Sequence, residues 1–254
     1  EGARREAELR ERLRVAGVPF VGPNCLGVLN TDLERGLNAT FSLAGPPVGN
    51  VGICTQSGAL GFVFPDYMRR WQLGVAEMVS LGNKADLGEN DLLRRWRDAP
   101  RVDVVQLYLE SFQDPREFLV VARDVARVKP IVALKAGRSV AGQRAAGSHT
   151  AALASPAAVA QGVFRQAGIL VVQDLVELFD VTALIALQPL PAGRRTAVLT
   201  NAGGPGVLAA DALEASGMQV PELSPELRQK LRRFLPPQAA AGNPILREDV
   251  IRTF

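Results

Sequence analysis

From Val51 onward the chain alternates short apolar runs with longer amphipathic segments, and this alternation restricts the fold more than any other feature. "VGICT", "VAEMVSL", "VDVVQLYLE", "PIVALKAG" and "ILVV" read as strands. Between and after them, "SGALGFVFPDYMRRW", "ENDLLRRWRD", "PREFLVVARDVARV", "PAAVAQGVFRQAG" and "DLVELFDVTALIAL" carry helical periodicity. Apolar strands separated by helices predict an α/β fold, a parallel sheet with helices on both faces. Such sheets place ligands outside the strand C-terminal ends, so the strand-to-helix turns become the informative positions.

Two Pro/Gly-rich stretches, "LAGPPVGN" (43–50) and "LQPLPAGRR" (187–195), read as linkers. They predict three pieces, 1–43, 44–190 and 191–254, of which the outer two are short for whole domains of this type. The chain is therefore expected to be a portion of a larger assembly. Composition narrows the function. With 29 basic against 26 acidic residues and no basic cluster interleaved with aromatics, nucleic acid is not an expected partner. No apolar run is long enough to span a bilayer, so no membrane role is expected. The charged first helix, "EGARREAELRERLRVAG", is unlike a signal peptide, and two cysteines make no disulfide framework. The expected location is the cytoplasm.

Three turns carry chemical content. In "CTQSGALG", Ser57 is an N-cap candidate, and the N–H groups of Gly58, Ala59 and Leu60 would open toward the ligand crevice, a setting suited to phosphate. An ordinary cap explains this turn equally well. Thr55 stands where a nucleophile elbow needs glycine, which argues against a hydrolase. "TNAGGPGVLAAD" repeats the arrangement with Gly203, Gly204 and Gly206, and its spacing is not the GxGxxG of a dinucleotide site. Glu110 closes the strand "VVQLYLE" at the crevice edge, either as a solvated terminus or as a carboxylate able to hold an imidazole N–H. Asp86 and Glu89 read as loop and capping residues, and Cys25 as a small buried side chain. The one histidine, His149, lies in "AAGSHTAALA", a run of small residues expected to form a loop. No metal site is expected.

"GPNCLG", "GICTQSGALG", "LGNKAD", "YLES", "KAGRS", "GSHTAAL", "FRQAGI" and "TNAGGPG" occur in an order that resembles the NDP-forming acyl-CoA synthetases, the ADP-forming acetate–CoA ligase relatives of succinyl-CoA synthetase. The resemblance runs from about Val18 to Asn243. It implies flavodoxin-like parallel-sheet domains: the end of a CoA-binding Rossmann-like domain (1–43), a CoA-ligase domain with a phospho-histidine loop (44–190), and the start of a second ligase domain (191–254). It implies that His149 is phosphorylated and relays the phosphoryl group between acyl phosphate and nucleotide, that Glu110 orients it, and that Ser57, Gly58 and Ala59 hold its phosphate. Gly203, Gly204 and Gly206 would be the counterpart in the ligase domain, and Asn24 and Cys25 the end of the CoA site. The implied substrates are a small carboxylic acid and CoA. ATP or ADP with Mg2+ would be bound mainly by an ATP-grasp domain or subunit, in an oligomer. Two positions depart from the family pattern: Ala151 stands where many relatives have glycine after SHT, and Leu246 where Asp is common. The other class of function compatible with the resemblance is a catalytically inactive, ligand-sensing module of a larger protein such as a protein acetyltransferase.

Overall fold

The computed structural model describes residues 1–42, 45–149, 157–237 and 239–246, without the side chains of Ala3, Ala157 and residues 145–149. The chain divides into two compact units, Glu1–Pro189 and Leu190–Phe254, the division falling in the second predicted linker.

The first unit opens with α1 (Gly2–Val15) and two short strands, β1 (Gly27–Asn30) and β2 (Leu37–Thr40). The alternating part follows: β3 (Val48–Thr55), α2 (Gly58–Arg70), β4 (Val75–Ser80), α3 (Glu89–Arg97), β5 (Val104–Leu109), α4 (Pro115–Ala126) and β6 (Ile131–Lys135). It ends with α5 (Val140–His149), α6 (Ala157–Ala167), β7 (Leu170–Val172) and α7 (Leu175–Leu187). The seven strands form one sheet in the order β2-β1-β4-β3-β5-β6-β7. Strands β3 to β7 are parallel, while β1 pairs antiparallel with both β2 and β4.

Counted from β3, the five parallel strands have the order 2-1-3-4-5, the flavodoxin-like arrangement, whose switch point lies between its first and third strands. Here those are β3 and β5. Period-2 alternation separates the two faces: Val105, Leu107 and Leu109 of β5 join Leu93, Trp96, Phe118 and Phe164, under α3, α4 and α6. On the other face Val51 and Ile53 of β3 join Phe64, Met68 and Phe179, under α2 and α7.

Two expectations differ from what is observed. Residues 27–40, read as the end of a separate piece, supply two strands to this sheet, because Val28 and Leu29 pair with Val79 and Met78 at its β4 edge. The segment read as a loop through His149 is helical up to that residue. Ser139 Oγ accepts from the Gly142 N–H (3.0 Å) at its start, and its alanines favour a helix. Thr150–Pro156 lie outside the described residues.

The second unit contains β8 (Leu199–Thr200), α8 (Gly203–Ala215), α9 (Pro225–Leu231), β9 (Ala240–Ala241) and β10 (Ile245–Leu246). Its small sheet has the order β8-β10-β9.

Candidate functional site

At the switch point a cleft of about 430 Å³ is lined by Asn24, Cys25, Leu26, Phe41, Gln56, Ser57, Gly58, Ala59, Phe62, Gly82 and Glu110. It gathers the six residues of the first unit singled out from sequence for Glu110, the α2 turn and the Asn24–Cys25 pair.

The α2 turn is built by side-chain oxygens. Thr55 Oγ1 accepts from the Ser57 N–H (3.2 Å) and donates to the Ser57 carbonyl (3.0 Å). Ser57 Oγ accepts from the Leu60 N–H (3.3 Å), so Leu60, expected to be free, is occupied by the cap. Gly58 and Ala59 keep first-turn N–H groups for which the helix itself has no acceptor. Gly58 is constrained from behind: a Cβ there would stand 3.3 Å from the Leu26 backbone nitrogen.

Residues 20–26 form a strap along the loop after β4. The Phe20 N–H donates to Asp86 Oδ2 (2.9 Å), Asn83 N–H to the Pro23 carbonyl (2.9 Å) and Leu26 N–H to Ser80 Oγ (3.0 Å). Asn24 has φ +58°, and Gly82 (φ +56°) lies so close beneath it that a Cβ would sit 2.4 Å from the Asn24 carbonyl oxygen. Glycine at 82 is thus required twice, by conformation and by space. Cys25 is half-buried, and burial pushes its thiol up despite nearby backbone N–H groups.

Glu110 is only 7% exposed, so it is a buried carboxylate rather than a solvated strand terminus. Its Oε2 has no hydrogen-bond partner among the described residues. The loop carrying it is held on several sides. Gln56 Oε1 accepts from the N–H groups of Glu110 (2.8 Å) and Ser111 (3.0 Å), and Gln56 Nε2 donates to Ser111 Oγ (2.9 Å). Lys135 Nζ donates to the Glu110 carbonyl (2.7 Å), and Lys84 Nζ to the Ser111 carbonyl (2.7 Å). Glu89 pairs with Lys84 (3.0 Å) and accepts from the Gln113 N–H (2.8 Å). From below, the Phe112 ring packs on Phe118 with centroids 4.8 Å apart and on Phe164 at 5.5 Å. Burial lowers the Lys135 amine, with the nearby Glu110 charge opposing that shift. Burial first, and the Glu110 charge second, push the Tyr108 hydroxyl up to about 12, so it stays protonated at neutral pH.

Glu89 is therefore not a simple capping residue: it is fully buried in an ion pair. Such a pair is a weak source of net stability, but it fixes geometry, because loss of either partner leaves a buried charge alone. Gln56, Ser111, Lys84 and Lys135 escaped the sequence reading. Lys135 had a signal, since it closes the apolar run of β6 as Glu110 closes that of β5. Gln56 had none.

The second unit repeats the turn chemistry. Thr200 Oγ1 accepts from the Ala202 N–H (3.1 Å) and donates to the Ala202 carbonyl (3.0 Å), as Thr55 does with Ser57. Gly204 faces open space and Gly203 nearly so. Gly206 is a packing glycine, because a Cβ would meet Thr200 Cγ2 at 2.8 Å. His149 occupies the last position of α5, and its side chain lies outside the described residues. Among the described residues no cluster of three or more His, Cys, Asp or Glu could hold a metal ion, and no helix is long and apolar enough to cross a membrane.

The succinyl-CoA ligase like flavodoxin domain matches residues 48–185, more than half of the chain. The chain belongs to this family. The Ligase-CoA domain matches residues 196–250, within the second unit. Among relatives of this succinyl-CoA ligase-like flavodoxin family, the acetate–CoA ligase (ADP-forming) II subunit alpha of Pyrococcus furiosus is 41% identical over 245 residues, covering 96% of this chain and 53% of that protein. The acetate–CoA ligase (ADP-forming) I of Archaeoglobus fulgidus is 42% identical over 245 residues, covering 96% of this chain and 35% of that one. A solved structure, the dinucleotide-forming acetyl-coenzyme A synthetase 1 of Ca. Korarchaeum cryptofilum in complex with phosphate and ADP, superposes with a TM-score of 0.86 at 39% identity. It covers 94% of this chain and 52% of that one. The chain thus spans about half or less of the relatives it matches.

Proposed function

We propose that this chain is the CoA-ligase and phospho-histidine portion of an NDP-forming acyl-CoA synthetase. The reaction interconverts acyl-CoA, ADP and phosphate with carboxylic acid, CoA and ATP, through acyl phosphate and phospho-His149. One observation carries this reading: a buried carboxylate with an unpartnered oxygen, Glu110, shares a cleft with the open first turn of α2. The N–H groups of Gly58 and Ala59 suit a phosphoryl group, which the helix dipole favours by about 0.3–2 kcal/mol. Glu110 suits the N–H of an imidazole, leaving the other ring nitrogen as nucleophile. In the relay step that nitrogen attacks phosphorus, the bond from phosphorus to the acyl oxygen breaks, and the carboxylate leaves with the electron pair.

Asn24 and Cys25 border the same cleft and fit the thiol end of CoA, with Phe41 and Phe62 as apolar walls. Mg2+ with the nucleotide supplies charge neutralisation when bound. An ATP-grasp domain or subunit, not the described residues, would hold both. Gly203 and Gly204 are the second phosphate-binding turn, and Gly206 supports it by packing. The assembly is a cytoplasmic oligomer acting on a small carboxylic acid. The chain is read as the end of a CoA-binding domain whose strands within 27–40 join the sheet of the CoA-ligase domain, followed by a second ligase domain from about 190.

The test is intact mass at neutral to alkaline pH after incubation with a panel of acyl phosphates. A single phosphoryl increment is expected, lost on acidification and absent from His149→Ala. Glu110→Gln is expected to slow its appearance about 100-fold, in the range of general acid–base contributions. No increment with any acyl phosphate overturns the relay and favours a ligand-sensing module.

A further inference from the structure

Gln56 does more than line the cleft. Its backbone N–H extends the β3–β5 ladder to the Tyr108 carbonyl (3.0 Å), and its side chain then crosses the switch point to the loop after β5. There the amide is almost fully spent: Oε1 accepts two N–H groups, from Glu110 and Ser111, and Nε2 donates to Ser111 Oγ. Both Gln56 and Ser111 are buried, at 3% and 2% exposure, so water cannot readily replace these bonds. Gln56 also directly precedes Ser57, the cap of α2. One side chain therefore ties the helix start to the carboxylate, which are otherwise carried by different strands.

We propose that Gln56 is a positioning residue, setting the distance between the first turn of α2 and the carboxylate of Glu110. This rests on the function proposed above. Pre-organisation is the physical reason: a phosphoryl group on an imidazole is met by amides at one end and a carboxylate at the other, and an error of about 1 Å between them costs about 100-fold in rate. The other ties on the loop, Lys135 and Lys84, grip the carbonyls of Glu110 and Ser111 and leave their N–H groups to Gln56 alone.

The experiment compares wild type, Gln56→Met and Gln56→Glu in two measurements on the full chain. The first is amide hydrogen exchange at Glu110 and Ser111. The second is the rate of His149 phosphorylation from acetyl phosphate across pH. Gln56→Met keeps the length but loses the acceptor. It is expected to speed exchange at both amides and to slow phosphorylation about 100-fold. Gln56→Glu keeps an acceptor, so it is expected to retain amide protection. Its added charge beside Glu110 is expected to move the acidic limb of the pH profile to higher pH. Thr182→Ala, a buried change on α7 far along the chain from the clamp, controls for general loss of stability and is expected to move neither readout. Wild-type exchange and rate in Gln56→Met would overturn the proposal. If Gln56→Met does not fold, Gln56→Glu decides: an unmoved pH profile overturns it. If wild type is not phosphorylated at all, the functional reading fails. The clamp is then judged by exchange alone, and unchanged protection at Glu110 and Ser111 in Gln56→Met, or lost protection there in Gln56→Glu, refutes it.

Discussion

Single residues at this site differ in how far their type announces their role. The place of Glu110 is legible, because a carboxylate that ends an apolar strand of a parallel sheet stands at the crevice edge, where a solvated terminus and a functional group are both possible. Its depth of burial is not, since that depends on Gln56 and Lys135 arriving from two other segments and on Phe112 of the same loop packing against α4. Cys25 and Cys54 show the same limit. Both occur as lone cysteines, yet Cys54 is fully buried in β3, while Cys25 borders the cleft. Burial raises both thiols, far more for Cys54. One thiol is therefore expected to react with a disulfide reagent in the native protein, and the second only on unfolding. Because the raised pKa leaves less thiolate at pH 8, Cys25 is expected to react more slowly than free cysteine and to speed up as pH rises. Thiol titration of wild type and Cys25→Ser checks this, and an acyl phosphate is expected to protect Cys25.

Elements are held in register by contacts that sequence periodicity does not contain. Strand β4 and helix α3 are joined at Glu77, whose Oε2 accepts from Arg95 Nε (2.9 Å) and from the indole of the fully buried Trp96 (2.8 Å). Burial by itself would raise the Glu77 carboxyl, but these donors outweigh it and hold it below the usual carboxylate range. A depressed carboxyl contributes stability above its unfolded pKa of about 4.3, and that contribution disappears as pH falls through the folded value. Wild type is thus expected to exceed Glu77→Gln by about 1–2 kcal/mol at neutral pH, discounted for the exposed Arg95. The gap is expected to close below about pH 4. Urea unfolding of both proteins as a function of pH measures it. Helix α5 makes the opposite point: small residues that look featureless are also good helix formers, and Ser139 starts the helix that reaches His149.

At the scale of the molecule, among the described residues the first unit holds a seven-stranded sheet with cores on both of its faces, while the second has three two-residue strands. A chain ending at Pro189 is expected to fold cooperatively and to keep the near-UV circular dichroism of its buried aromatics, Trp96, Phe118 and Phe164. Loss of that signal would show that the second unit completes the first. The alternating pattern alone determined the α/β class, the parallel strands and the turns at which to look, because burial on both sheet faces leaves a continuous apolar signature. The turns, the strand end and the single histidine themselves drew attention to Ser57, Gly58, Ala59, Glu110 and His149, and the family motifs added the roles proposed for them. Only the tertiary structure decided that β3 and β5 are neighbours, that β1 and β2 join the same sheet, and that Gln56 spans the gap between strand ends. Strand order and side-chain pairing join residues some fifty positions apart, and no local period in a sequence encodes a contact at that separation.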